Sequence, residues 1–143
     1  MVTLIFLAFN CQEKKVSDLN ILSEKIEELE IKDSVKYIVV LPEVGCQGCI
    51  QEGENFMIQH FNNDDYFFIL TRIKSLKILE QKTGISLSKG ENIFIDRKLL
   101  FALNSNESIY PIIVKMNGGK AISLEYQSPE NDAFSKLALS ELE

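Results

Sequence analysis

The sequence predicts an α/β domain, because segments with the composition of buried strands alternate with segments that have helical spacing. The turn signal Asn117-Gly118-Gly119 lies between two strand-like segments and predicts a β-hairpin near the C-terminus. An amphipathic segment follows this hairpin. We therefore expect a central mixed sheet with helices on both faces and a C-terminal β-hairpin plus helix.

The first predicted elements alternate between helix and strand. Residues 18–30 place apolar side chains on one face of a helix. β-Branched and aromatic residues predict buried strands at 35–41, 66–70 and 92–96. Between these strands, helical spacing begins at Ile50 and again near Leu76, and Gly84 is expected to end the second helix.

The hairpin and the last helix complete the predicted sheet. Its strands are expected at 109–116 and 120–127. In the second strand, Ile122, Leu124 and Tyr126 alternate with polar residues, so one face is expected in the core and Gln127 on the wet face. We expect Ser128-Pro129 to open a helix whose apolar residues are Phe134, Leu137, Leu139 and Leu142.

Length and composition are those of one folded domain with an acidic surface. The chain has 143 residues, of which 45% are hydrophobic and 25% charged, so it has enough apolar material to form a core. Its formal net charge is -6, and no cluster of lysine and arginine stands out along the sequence. A nucleic-acid partner is therefore not expected.

The N-terminus has the pattern of an export signal. Residues 1–9 are almost entirely apolar, and a polar segment begins directly after Cys11. This resembles the end of a bacterial lipoprotein signal peptide and implies lipidation at Cys11. The predicted organisation is a signal segment at 1–11, a tether (12–17) with an amphipathic helix up to residue 32, and a domain at 33–143. The alternative is that residues 1–9 form a buried first strand and that Cys11 is an ordinary small apolar residue.

Lipidation would place the protein outside the cytoplasm. It would attach the chain to the membrane through acyl chains, facing the periplasm or the cell surface. Cys46 and Cys49 then remain as a pair in an oxidising compartment, where a disulfide persists.

Cys46-Gln47-Gly48-Cys49 lies between a predicted buried strand and a predicted helix. The unpaired N–H groups at a helix start carry partial positive charge, which favours a thiolate at Cys46 and lowers its pKa below about 8.5. Cys49, one turn further on, can close a small disulfide ring. The spacing thus suits Cys46 as the nucleophilic thiol and Cys49 as the resolving thiol.

The order of strand, CxxC, helix, strand, helix, Xaa-Pro and hairpin resembles the thioredoxin superfamily over residues 33–142. It is most similar to small exported thioredoxin-like lipoproteins of Bacteroidetes-type bacteria. The resemblance implies a cis peptide at Tyr110-Pro111, lying against the disulfide and contacting substrate. It also implies a proton relay, for which Glu43 is the nearby carboxylate, because Val40 stands where many members carry a buried acid. Gly45 replaces the usual aromatic residue before the first cysteine.

The function implied by this resemblance is thiol–disulfide exchange with exported proteins. It needs protein thiols or disulfides as substrates and an electron donor that the sequence does not identify, and no cofactor or metal. Two other functions fit the cysteine pair. The disulfide could be structural in a non-catalytic, thioredoxin-like binding module, or the two thiolates could bind Cu(I).

Overall fold

The computed structural model describes the backbone of residues 5–142 and the side chains of residues 12–142. Residues 1–4 of the predicted signal segment and the Cys11 side chain lie outside this description. The described chain contains four α-helices and five β-strands: α1 Ile5–Glu27, β1 Tyr37–Pro42, α2 Gln47–His60, β2 Tyr66–Thr71, α3 Leu76–Thr83, β3 Ile93–Asp96, β4 Ile112–Asn117, β5 Lys120–Tyr126 and α4 Ala133–Ser140.

The five strands form one mixed sheet in the order β3-β2-β1-β4-β5. β1, β2 and β3 are parallel, whereas β4 and β5 form an antiparallel hairpin whose first strand pairs with β1. The carboxyl ends of β1, β2 and β3 therefore lie at one edge of the sheet, where the cysteine motif follows β1. The predicted mixed sheet with a C-terminal hairpin and helix is confirmed.

Helices cover both faces of the sheet, as predicted. On one face, Leu22 and Ile26 of α1 pack against Ile38, Val114 and Leu124 of the sheet. On the other face, α2, α3 and α4 contribute to a second apolar cluster, whose helical members are Ile50, Phe56, Met57, Leu79, Ala133, Phe134 and Leu137. The central strand β1 is buried from both sides, which explains its nearly continuous apolar sequence.

Helix α1 is longer than the sequence predicts. The predicted tether at 12–17 is helical, and the helix ends at Glu27 instead of residue 30. Its segment contains no glycine or proline to interrupt it. Lys14 and Lys15 lie 3.1 Å from Glu107 and Glu125, respectively, so this part of α1 is held against the domain. Among the described residues, no helix is long and apolar enough to cross a membrane.

Within β5, the predicted alternation of buried and exposed side chains fails at Ile122. Leu124 and Tyr126 are buried, but Ile122 is 49% exposed. The register explains this difference: Lys115 pairs with Ser123 while Met116 pairs with Ala121, which leaves Ile122 as the extra residue of a β-bulge. The alternation of side chains is therefore interrupted at this position.

Helix α4 starts later than predicted. Ser128 and Asn131 exchange two backbone hydrogen bonds of 3.1 Å, which form a turn where the helix was expected to open. The helix begins at Ala133, and Asp132 is its N-cap. Of the four apolar residues expected on this helix, Phe134 and Leu137 are buried, whereas Leu139 and Leu142 are 65% and 84% exposed.

The cap of α4 gives a pH-dependent contribution to stability. Hydrogen bonds from the Ser135 side chain and backbone hold the pKa of Asp132 below its usual value of 3.8. A carboxyl group with a lowered pKa stabilises the fold fully above its unfolded pKa and loses this contribution as pH falls through the folded pKa. We expect Asp132→Asn to keep the cap but to reduce the loss of stability below about pH 4. Urea unfolding of both proteins between neutral and acid pH measures this, and parallel pH curves would contradict it.

Candidate functional site

Cys46 and Cys49 form a disulfide at the start of α2, with their Cα atoms 5.3 Å apart. Cys46 is the N-cap residue of the helix, and Cys49 lies in its first turn. The strand β1 and the short loop after Pro42 bring the pair to the carboxyl edge of the sheet. The structure thus confirms a disulfide-bonded pair where the sequence predicts it.

The two cysteines differ in exposure. Cys46 is partly exposed, whereas Cys49 is only 5% exposed. The Cys46 side chain makes no capping hydrogen bond to the helix, although its carbonyl accepts the N–H of Ile50 at 2.9 Å. Cys46 is therefore the more accessible residue of the pair.

Gly45 brings the cysteine loop into contact with the segment before Pro111. The Cys46 N–H donates to the Ile109 carbonyl at 3.0 Å. Gly45 has a φ of 148°, and a Cβ placed on it would lie 2.3 Å from the Ile109 carbonyl oxygen. Only glycine fits this backbone at this distance, which explains why no aromatic residue stands before Cys46.

The predicted cis peptide at Tyr110-Pro111 is wrong. None of the peptide bonds in the described chain is cis. Tyr110 is extended, with φ of -104° and ψ of 145°, the conformation that a residue before proline prefers, and it leads from a 3₁₀ turn at Asn106–Ile109 directly into β4. Because nothing in this connection requires a reversal of the chain, the bond keeps the more stable trans form.

The segment before Pro111 nevertheless lies beside the cysteines. It does so through Ile109, which sequence reasoning missed, and not through a cis bond. Pro111 is buried, and its carbonyl accepts the N–H of Gln127 at 2.9 Å. The partly buried Tyr110 packs with the α1 side of the core. The predicted substrate contacts of Tyr110 and Pro111 remain predictions.

Glu43 lies between β1 and β2 at the same edge of the sheet. Its carboxylate accepts a hydrogen bond from the Lys74 backbone N–H, and its own N–H donates to the Thr71 carbonyl at 3.2 Å. These bonds join the loop before the cysteines to the loop after β2. A proton relay through Glu43 remains a prediction.

Gln127, which was predicted on the solvent-exposed face of β5, is only 2% exposed and connects the elements around the site. Its amide donates to Glu52 of α2, and its carbonyl oxygen accepts the Phe134 N–H of α4 at 3.0 Å. The cysteine helix is thereby linked to the hairpin and to α4. An isolated glutamine in a strand-like segment carries no sequence signal for this role.

The described residues contain no group of three or more His, Cys, Asp or Glu side chains placed to hold a metal ion. Comparison with known proteins finds no matching family model, no matching curated protein and no matching solved structure.

Proposed function

We propose that this protein is a thiol–disulfide oxidoreductase in which Cys46 is the nucleophile and Cys49 the resolving thiol. The observation that carries the proposal is the disulfide at the start of α2, with one sulfur-bearing residue accessible and the other buried. Reduction leaves a Cys46 thiolate beside the unpaired N–H groups of the first helical turn, which stabilise the anion. The mixed sheet and the CxxC at a strand–helix junction are compatible with a thioredoxin-like domain.

Exchange proceeds in two balanced steps. The Cys46 thiolate attacks one sulfur of a substrate disulfide, forms a mixed disulfide and releases one substrate thiolate. Cys49, after losing its proton, attacks the Cys46 sulfur, re-forms the 46–49 disulfide and releases the second thiolate. Two electrons pass from the protein dithiol to the substrate, and a dithiol donor must then reduce the protein. The reverse sequence oxidises a substrate dithiol, and the direction follows the reduction potential of the couple.

The reduction potential tests this function. We expect a value above about −270 mV, in the range of redox-active CxxC couples, when the protein is equilibrated with glutathione buffers and its free thiols are counted after alkylation. Structural disulfides have potentials below about −300 mV. A value in that lower range would contradict the proposal and support a binding module with a structural disulfide. The trans bond at Pro111 removes one support for the thioredoxin resemblance, which implies cis, and it does not distinguish a catalytic from a structural disulfide.

The proposal includes export and membrane attachment through a lipid on Cys11, with exported protein thiols and disulfides as substrates. The apolar residues 1–9 and the polar sequence after Cys11 support it. We expect Cys11→Ser to move the protein from the membrane fraction of its native host to the soluble fraction, because attachment depends on the acyl chains. Cys49→Ser is the control and should stay membrane-bound. Wild-type protein recovered in solution with Met1 intact would contradict this localisation.

A further inference from the structure

A basic cleft lies at the carboxyl edge of the sheet, beyond the loop that carries the cysteines. Its volume is about 170 Å³, and Arg72, Lys74 and Arg97 line it together with Asp96 and apolar side chains that include Leu99. The parallel register pairs Thr71 with Asp96, so the residues that follow them, Arg72 and Arg97, leave the sheet side by side. These are the chain's only two arginines.

Among the described residues, no ion pair neutralises the positive charge of this cleft. In the described part of the chain, the four salt bridges involve other cations, and Arg72 donates instead to the Leu103 carbonyl at 3.5 Å. The Asp96 carboxylate is 3% exposed and accepts hydrogen bonds of 2.8–2.9 Å from Thr71 Oγ1 and the backbone N–H groups of Leu100 and Phe101. Its oxygens are thus occupied by the fold.

The backbone around the cleft is held in an unfavourable conformation. Three non-glycine residues of the described chain have positive φ, and two of them, Arg72 at 56° and Leu99 at 58°, line this cleft. Each such residue costs on the order of 1 kcal/mol, and strain of this kind concentrates at ligand-binding sites. The strain therefore coincides with the unpaired cations.

The cleft and the disulfide share one edge of the sheet. Glu43, three residues before Cys46, accepts the Lys74 N–H, so the cysteine loop contacts the wall of the cleft directly. Two exposed apolar side chains belong to the same region: Val44 precedes Cys46 by two residues, the Ile109 carbonyl accepts the Cys46 N–H, and each is 39% exposed. The cysteine loop therefore joins the disulfide to the wall of the cleft.

We propose that this cleft binds acidic side chains of the substrate polypeptide, close to the cysteine that exchanges with Cys46. This inference rests on the proposed oxidoreductase function. The formal net charge of the chain is -6, so its overall field repels acidic substrates. A preference for an acidic peptide would therefore have to come from a local positive site, and the cleft supplies one.

The test uses Cys49→Ser protein, which stops at the mixed disulfide, and two short peptides with a central cysteine flanked by glutamates or by lysines. Each peptide is supplied as its mixed disulfide with glutathione. At low ionic strength we expect the Cys46 adduct to form about tenfold more readily with the glutamate peptide, and we expect high salt to weaken this preference. Adding Lys74→Glu and Arg97→Glu should abolish it, because both side chains are exposed and neither forms an ion pair with a described residue.

Lys115→Glu with Lys120→Glu is the matched control. It makes the same change in net charge at exposed positions, but Lys115 pairs with Tyr37, at the opposite end of β1. This control should keep the acidic preference. Equal reaction with both peptides, or an unchanged preference in the Lys74/Arg97 variant, would overturn the proposal.

Peptides with serine in place of cysteine separate the cleft from the redox function. Binding is measured by fluorescence anisotropy of labelled peptides, which requires no thiol chemistry. If the glutamate peptide binds through Lys74 and Arg97 but no adduct forms at Cys46, the proposal that the cleft binds acidic side chains is supported and the proposed oxidoreductase function is contradicted. If adducts form equally with both peptides, the proposed oxidoreductase function is supported and the proposed binding of acidic side chains in the cleft is contradicted.

Discussion

Gly45→Ala is expected to lower the free energy of unfolding by about 2–4 kcal/mol, because the new Cβ has no space and the backbone is unsuited to alanine. The atoms it would meet belong to the Ile109 backbone, the nearest at 2.3 Å, and a backbone cannot rotate away as a flexible side chain can. The φ of 148° adds conformational strain. Urea unfolding of the oxidised protein measures the loss, and Tm should fall by roughly 10 °C.

Gly48→Ala is the matched control in the same motif. Gly48 lies in α2, and a Cβ placed on it meets nothing within 4 Å. Alanine is the better helix former, so stability should stay unchanged or rise by up to about 1 kcal/mol. Unfolding of both variants at the wild-type urea concentration would contradict a close contact between Gly45 and the Ile109 backbone.

Cys46→Ser should reduce the rate of disulfide exchange by a factor of about 10³ or more, because the serine hydroxyl cannot replace the attacking thiolate and Cys49 then has no partner. Cys49→Ser should also stop turnover, but it keeps the first step and accumulates a mixed disulfide between Cys46 and the substrate. The difference follows from exposure, since Cys46 is partly exposed and Cys49 is 5% exposed. Turnover of a disulfide substrate and the mass of the trapped adduct measure the two effects.

Cys11→Ser is the control, because it removes a thiol outside the Cys46–Cys49 pair. It should exchange disulfides at the same rate as the wild-type protein when both are assayed in detergent. An adduct that forms on Cys49 in the Cys46→Ser protein, at a rate comparable to that of Cys46, would reverse the two roles. Wild-type turnover in both single variants would exclude the pair from exchange altogether.

Burial patterns made the sheet predictable. β1 and β2 are covered on both faces, so their sequences are apolar throughout and could be recognised without tertiary information. Gly84 ends α3 with a φ of 72°, as its position after Thr83 predicts. The start of α4 was not predictable in the same way, because Ser128 and Asp132 are both suitable caps and the turn at Ser128–Asn131 decides between them.

In the candidate site, too, local features could be predicted from the sequence and contacts between distant segments could not. The CxxC spacing and its strand–helix position identify the disulfide because all the relevant residues are local. The contact between Cys46 and Ile109 joins segments that are distant in sequence, and only the packing of the loop before β4 against Gly45 creates it. The cleft arises likewise from the register of β2 with β3, which brings Arg72 and Arg97 together and has no signature in either segment alone.

The bulge at Ile122 also affects how this sheet meets other molecules. β5 is an edge strand, and its unpaired backbone groups could accept a strand from another chain. A bulge increases the local twist, and a twisted edge is a poor template for such pairing. The opposite edge strand, β3, is only four residues long. Both open edges of the sheet therefore discourage strand addition, which protects the folded protein against edge-to-edge aggregation.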